Sequence, residues 1–178
     1  MKNIFILGIL IMPLFILTTT SMIDGQIENI INITNTSSND LSVNIGKLIL
    51  ESKTHGEGIK IADIDKQTIE VYFSGNGTLE GNVTVMDIGT SWSTLKNNGY
   101  WYSKGEGMIL TLDNEIAKYT FQSIGKHDND GKLRNLGSVT FYTDSIGELS
   151  VLKNTIGVYA DEIDQQGNAI TKVWKLNK

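Results

Sequence analysis

The residue with the greatest chemical reach in this chain is Glu106, because of the company that strand parity gives it. The stretch YWYSKGEGMILTLDNEIAKYTFQSIG, residues 100–125, reads as one long β-hairpin. With Asp113 and Asn114 as a two-residue turn, a dipeptide type that tolerates positive φ, Leu112 faces Glu115, Leu110 faces Ala117, Met108 faces Tyr119 and Glu106 faces Phe121. Alternation along the strands then gathers Leu112, Leu110, Met108, Ala117, Tyr119 and Phe121 on one face, with Thr111, Gly107, Lys118, Thr120 and Gln122 on the other. Glu106 falls on the apolar face. A carboxylate held there without a partner raises its own pKa and is suited to exchanging a proton with a bound molecule. In the alternative register Gly105 and Gly107 form a bulge, the pairing slips by one, and Glu106 turns to water. Tyr102, Glu106, Tyr119 and Phe121, with Tyr100 near them, are the candidate lining of a small-ligand cavity, and Glu106 is the candidate catalytic group. The competing reading of these aromatics is plain core. Trp92, Trp101 and Trp174 are expected elsewhere or at the ends of the fold.

Other chemistries find less support. The two histidines, His55 and His127, lie far apart and there is no cysteine, so no zinc site is expected. The carboxylates around His127-Asp128-Asn129-Asp130-Gly131 and Asp161-Glu162-x-Asp164 raise calcium, but neither segment matches the twelve-residue calcium loop, and both read as solvated turns. No metal and no cofactor is expected. No Gly-x-Ser-x-Gly elbow offers a nucleophile. Gly56-Glu57-Gly58 and Gly105-Glu106-Gly107 put a carboxylate where a phosphate would sit, so they read as strand bends rather than phosphate loops.

The elements that must position these residues are almost all strands, in short runs rich in Val, Ile, Thr, Tyr and Phe. The runs fall at 47–53, 58–63, 68–75, 77–87, 99–104, 107–112, 116–125, 135–143, 156–164 and 169–176. Turns are expected at Gly75-Asn76-Gly77, Asn97-Asn98-Gly99, Asn129-Asp130-Gly131 and Gln166-Gly167-Asn168. The one helical turn expected is 147–153, where Leu149 and Leu152 sit three apart. Successive hairpins of this kind predict an all-β fold, an antiparallel up-and-down β-barrel, with a two-sheet β-sandwich as the alternative. The 18 glycines, several of them inside strands, favour the curl of a barrel.

Three regions are expected. Residues 1–25 have the layout of a signal peptide or N-terminal anchor, with Lys2, an apolar run at 4–17 that is short for a membrane span of about 20 residues, and a polar stretch after it. Residues 26–45 read as an Asn/Ser/Thr-rich linker, and 46–178 as the barrel domain. The protein is therefore expected to be secreted or extracytoplasmic, touching a membrane only through 4–17 if the leader stays. A net charge of −5, hardly altered by loss of Lys2 and Asp24 together, offers no electrostatic footprint for nucleic acid. Without cysteine, stability must come from a packed core. Sequons at Asn32, Asn35, Asn76 and Asn82 are possible glycosylation sites, and Asn76, in an expected turn, is the one expected to be accessible.

Several stretches carry a resemblance: Ser74-Gly75-Asn76-Gly77, Val85-Met86-Asp87-Ile88-Gly89-Thr90, Gly105-Glu106-Gly107, Gly125, Gly137, Leu152-Lys153-Asn154, Gly157-Val158 and Lys172-Val173-Trp174. Together they resemble a group of small uncharacterised archaeal and bacterial β-rich proteins, whose pattern has a MGT or IGT stretch, a GEGxG or GQG stretch and a KxWEWK end. Here Val173-Trp174-Lys175-Leu176 lacks the acidic residue and second Trp of that ending, and Met108 replaces a small residue. More loosely the chain resembles calycin and allene-oxide-cyclase-like barrels, a likeness that implies an apolar ligand in the barrel mouth. Three functions follow: a barrel that binds a small apolar or amphipathic ligand, a cyclase- or isomerase-type enzyme using Glu106, or a non-catalytic cell-surface interaction protein.

Overall fold

The computed structural model describes residues 44–177. The leader and most of the linker expected before the barrel, with Asn32 and Asn35, lie outside the described residues. Eight antiparallel strands follow one another around a closed barrel: β1 (Asn44–Asp63), β2 (Thr68–Leu79), β3 (Val83–Leu95), β4 (Trp101–Thr111), β5 (Ile116–His127), β6 (Leu133–Tyr142), β7 (Thr155–Ile163) and β8 (Asn168–Asn177). The ring closes where β8 pairs with β1, which replaces the sandwich alternative with a fold that has no free edge.

Some expected breaks between strands are continuous wall. Residues 47–53 and 58–63 are both β1, and 99–104 and 107–112 are largely β4. Gly75-Asn76-Gly77 is not a turn but the middle of β2. A Cβ on Gly75 would stand 2.0 Å from the carbonyl oxygen of Lys53, so glycine is needed there for close approach of β1 and β2. The hairpin turn comes later, at Glu80 and Gly81, both with positive φ. Asn76 is exposed on strand β2, and Asn82 is exposed in the β2–β3 turn. The turns expected at 97–99, 129–131 and 166–168 do fall between strands or at a strand's start.

Within the 100–125 hairpin the register differs from the expectation by one residue. The β4–β5 loop holds three residues, Leu112, Asp113 and Asn114, closed by the Thr111 amide donating to the Glu115 carbonyl, with Asn114 at φ 65°. Glu106 therefore pairs with Thr120, Gly105 with Phe121 and Gly107 with Tyr119. Pairing along β4 runs without a bulge, so the slip arises in the turn and not at the glycines. A shift of one residue sends the whole of β4's expected inner set outward. Met108, Leu110 and Glu106 lie on the outer wall, Leu112 is exposed at the hairpin tip, and Ile109 and Thr111 are the buried ones.

The two ends of the barrel differ. At the base, the β6–β7 connection folds into a 3-10 turn, Glu148–Leu152, in the expected place. Its Leu149 and Leu152 are fully buried in a core with Ile49, Leu79, Val85, Ile109, Ala117 and Phe141. The Glu115 carboxylate accepts hydrogen bonds from the backbone amides of Glu148 and Leu149 at 3.2 and 2.9 Å, pinning this plug to β5. The opposite end, ringed by the β1–β2, β3–β4, β5–β6 and β7–β8 turns, carries no such plug among the described residues.

Candidate functional site

Above the plugged base the barrel is hollow, with a cavity of about 580 Å³ reaching the turns at the far end. Its shape comes from a repeated pairing of a ring with a glycine. Phe73 faces Gly89, Tyr119 faces Gly107, Phe121 faces Gly105 and Tyr159 faces Gly137, each pair lying inward on neighbouring strands. A Cβ on any of these glycines would fall 2.3–2.7 Å from its partner ring, so each ring lies flat over bare backbone rather than projecting across the lumen. The rings touch one another edge to face or tilted, with centroids 5.7–6.4 Å apart from Phe73 through Phe121 to Tyr159 and from Tyr119 to Phe141. Gly105-Glu106-Gly107 is thus two vacant inward positions that receive Phe121 and Tyr119.

Gly107 has a second consequence. Tyr119 on β5 passes over it and donates from its hydroxyl to Asp87 Oδ1 on β3, at 2.6 Å. Asp87 is buried, and burial raises its carboxyl above the usual range, while the Tyr119 hydrogen bond pulls it down. Burial also pushes the Tyr119 hydroxyl up, reinforced by the Asp87 charge. Ser52 lies fully buried beside the same carboxylate without a well-formed hydrogen bond. This pair forms the floor of the chamber.

On the opposite wall, β6 and β7 bring Asn135 and Asp161 face to face, and Asn135 Nδ2 donates to Asp161 Oδ1 at 2.7 Å. Burial pushes the Asp161 carboxyl up to about 6, against the Asn135 hydrogen bonds that lower it. One inward position away on β7, Tyr159 is only 4% exposed, and its hydroxyl, though near Ser123, meets no hydrogen-bond partner. Burial, helped by the Asp161 charge, raises its pKa. Asn135 Oδ1 is also buried and unpartnered. Buried polar atoms are normally satisfied, and these two are exceptions beside a raised carboxyl. Nearer the mouth the lining includes the hydrogen-bonded hydroxyls of Ser93 and Ser103 and the side chain of Trp101. No lysine or arginine lines the cavity, while Asp87, Asp161 and Asp164 do.

The mouth has one tall side. β1 pairs with β8 only as far as His55 but continues against β2 to Asp63. A bulge at Gly56/Gly58 shifts its parity, so that Ile59 lines the cavity, opposite Val71, although 73% exposed.

Of the residues expected at a site, Tyr119 and Phe121 line the chamber and Tyr102 and Glu106 do not. Tyr102 is 47% exposed on the outer wall, and Glu106 is exposed on the same side of β4. The cyclase or isomerase reading thereby loses the carboxylate it depended on. Tyr100 is in the β3–β4 loop with Lys126 Nζ over its ring, and Trp101, expected elsewhere or at a barrel end, lies in the mouth. His127 and the carboxylates of Asp128 and Asp164 sit at turns, where the Asp128 and Asp164 side chains accept backbone hydrogen bonds. Among the described residues, no three carboxylate or imidazole groups converge on a metal position.

Asp87, Asp161, Asn135 and Tyr159 were not among the expected site residues. Strand parity carries the signal for two of them. Asp87 alternates with Val85 and Gly89, and Asp161 with Tyr159 and Ile163, so each is a carboxylate in an otherwise apolar or small inward series.

No protein-family model matches the chain, and no curated protein matches it in sequence. Solved structures do match in shape. A β-barrel-like protein from Acinetobacter baumannii AYE aligns with a TM-score of 0.65 at 10% identity, covering 79% of this chain and 100% of that one. A protein with unknown function from Clostridium acetobutylicum aligns at 0.62 and 15% identity, covering 78% of this chain and 100% of its own. A conserved protein of unknown function from Rhodopseudomonas palustris aligns at 0.60 and 10%, covering 79% and 100%. The likeness is one of fold. It supports the coarse part of the resemblance, a small bacterial β-barrel of unassigned role, and lends this chain no activity.

Proposed function

We propose that this barrel is a binding protein that takes a small amphipathic molecule through its open end. The observation that carries the reading is the chamber of about 580 Å³, walled by Phe73, Phe121, Tyr119 and Tyr159 and furnished with a few convergent polar groups. That is the usual anatomy of a small-ligand site, and it agrees with the looser likeness to calycin barrels. The exposed Ile59 gives the apolar part of a ligand a surface to meet on entry. The apolar run at 4–17 supports an exported protein, and Asn76 and Asn82, both exposed, are available to glycans if the host adds them.

Native mass spectrometry of the protein purified from its own cells tests the reading. A stoichiometric adduct released by organic solvent is expected. A bare polypeptide mass, from protein that also fails to take up an apolar dye, would contradict it.

A further inference from the structure

We infer that the chamber selects a ligand bearing a protonated amine, whose ammonium group pairs with Asp161 while its apolar body lies against the aromatic rings. This deepens the binding reading above and rests on it. Three features of the wall converge. First, Asp161 lines the chamber and is only partly buried, so its carboxylate is within reach of a ligand. Second, Asp161 shares one carboxylate oxygen with Asn135 Nδ2 and keeps acceptor capacity on the other. Third, its neighbours Asn135 and Tyr159 are buried, with their oxygens turned to packed protein, which leaves Asp161 as the acceptor that this wall offers. An ammonium is a group with three donors and no acceptor.

Charge points the same way. The lining holds Asp87, Asp161 and Asp164 and no lysine or arginine, with His127 its one imidazole, so a carboxylate or phosphate ligand would meet mainly groups of its own sign. A cation buried with a carboxylate partner avoids the penalty of an unpaired buried charge. The aromatic lining also offers ring faces that attract a cation. A fatty-acid-like anion, the other amphipathic class of this size, is disfavoured by the same wall.

The test is competition against bound Nile red, a neutral apolar dye, by benzylamine, benzyl alcohol and benzoate, three probes of one shape and three charges. Benzylamine is expected to displace the dye at concentrations on the order of 10- to 100-fold lower than benzyl alcohol, the usual strength of hydrogen bonds to a charged group, with benzoate weakest. Asp161→Asn should erase that advantage, read within the variant as the ratio of benzylamine to benzyl alcohol potency. Equal potency of the three probes, stronger binding of benzoate, or an advantage that survives Asp161→Asn would overturn the inference while leaving the binding reading intact. Failure of Nile red and of all three probes to bind would overturn both.

Discussion

The floor of the barrel and the wall of its chamber are made from the same parts and finished differently. Each has a tyrosine laid over a glycine of the next strand, Tyr119 over Gly107 and Tyr159 over Gly137, and each has an aspartate close by, Asp87 buried and Asp161 partly buried. At the floor the tyrosine and the aspartate are joined, Tyr119 donating to Asp87 directly above a packed base, with Ser52 Oγ beside them unpartnered. On the wall the tyrosine hydroxyl is unpartnered, the asparagine that serves Asp161 has a spare buried oxygen, and open volume lies in front of Asp161. A satisfied buried pair holds a fold together, whereas an unsatisfied one lowers stability.

The comparison is most easily broken from below. Leu152→Ala removes a fully buried side chain from the plug and should cost about 2–5 kcal/mol in urea unfolding, while the folded fraction still takes up Nile red. A loss of dye binding in the folded fraction would mean that base and chamber are one unit.

Asp161→Asn should act with the opposite sign. The Asp161 carboxyl sits at about 6 when folded, against an ordinary value of 3.8, so between those values the folded state binds more protons than the unfolded one. Stability from this group is therefore full below about pH 4 and lost as pH rises through 6. The asparagine variant escapes that loss. It should be more stable than the parent by on the order of 3 kcal/mol at pH 7, with the difference closing toward pH 4 in paired thermal melts. A destabilised variant at pH 7 would show Asp161 to be part of the scaffold.

The two tyrosines sharpen the contrast at fixed chemistry. Tyr119→Phe leaves Asp87 buried without its donor and should cost about 1–3 kcal/mol. Tyr159→Phe removes a buried hydroxyl with no partner and should raise stability by about 1–3 kcal/mol. Equal losses would erase the distinction between floor and wall. Glu106→Gln, on the outer wall, should leave both stability and dye affinity within error, the smallest effect of the set.

The barrel was legible because antiparallel strands with one face inward write their alternation into the sequence, and Asn-Gly turns punctuate it. So was the 3-10 plug, from the spacing of Leu149 and Leu152. The site was half legible. Tyr119 and Phe121 keep their inward parity whichever loop joins β4 to β5, but Glu106 does not. Asp113-Asn114 suits a two-residue or a three-residue loop equally well, and the difference reverses every side chain of β4. Asp87 stands outside a pattern in which apolar residues mark the inside, and Asp161, in a segment that reads as a solvated turn, lies instead within β7 and faces inward. In a barrel that keeps a chamber, polar inward residues are the informative ones. Gly75-Asn76-Gly77 misled for another reason, since glycine there serves close packing of β1 on β2 and not a turn.

The central claim, that the upper barrel is a ligand chamber and the base a scaffold, is tested most directly by amide chemical shifts of the isotope-labelled protein during titration with benzylamine. Saturable shifts confined to the inward stretches around Ser123, Asn135, Tyr159 and Asp161, with Leu149, Leu152 and Thr155 still, are the predicted result. Shifts that do not saturate, or that scatter over the outer wall while those residues stay fixed, would contradict it.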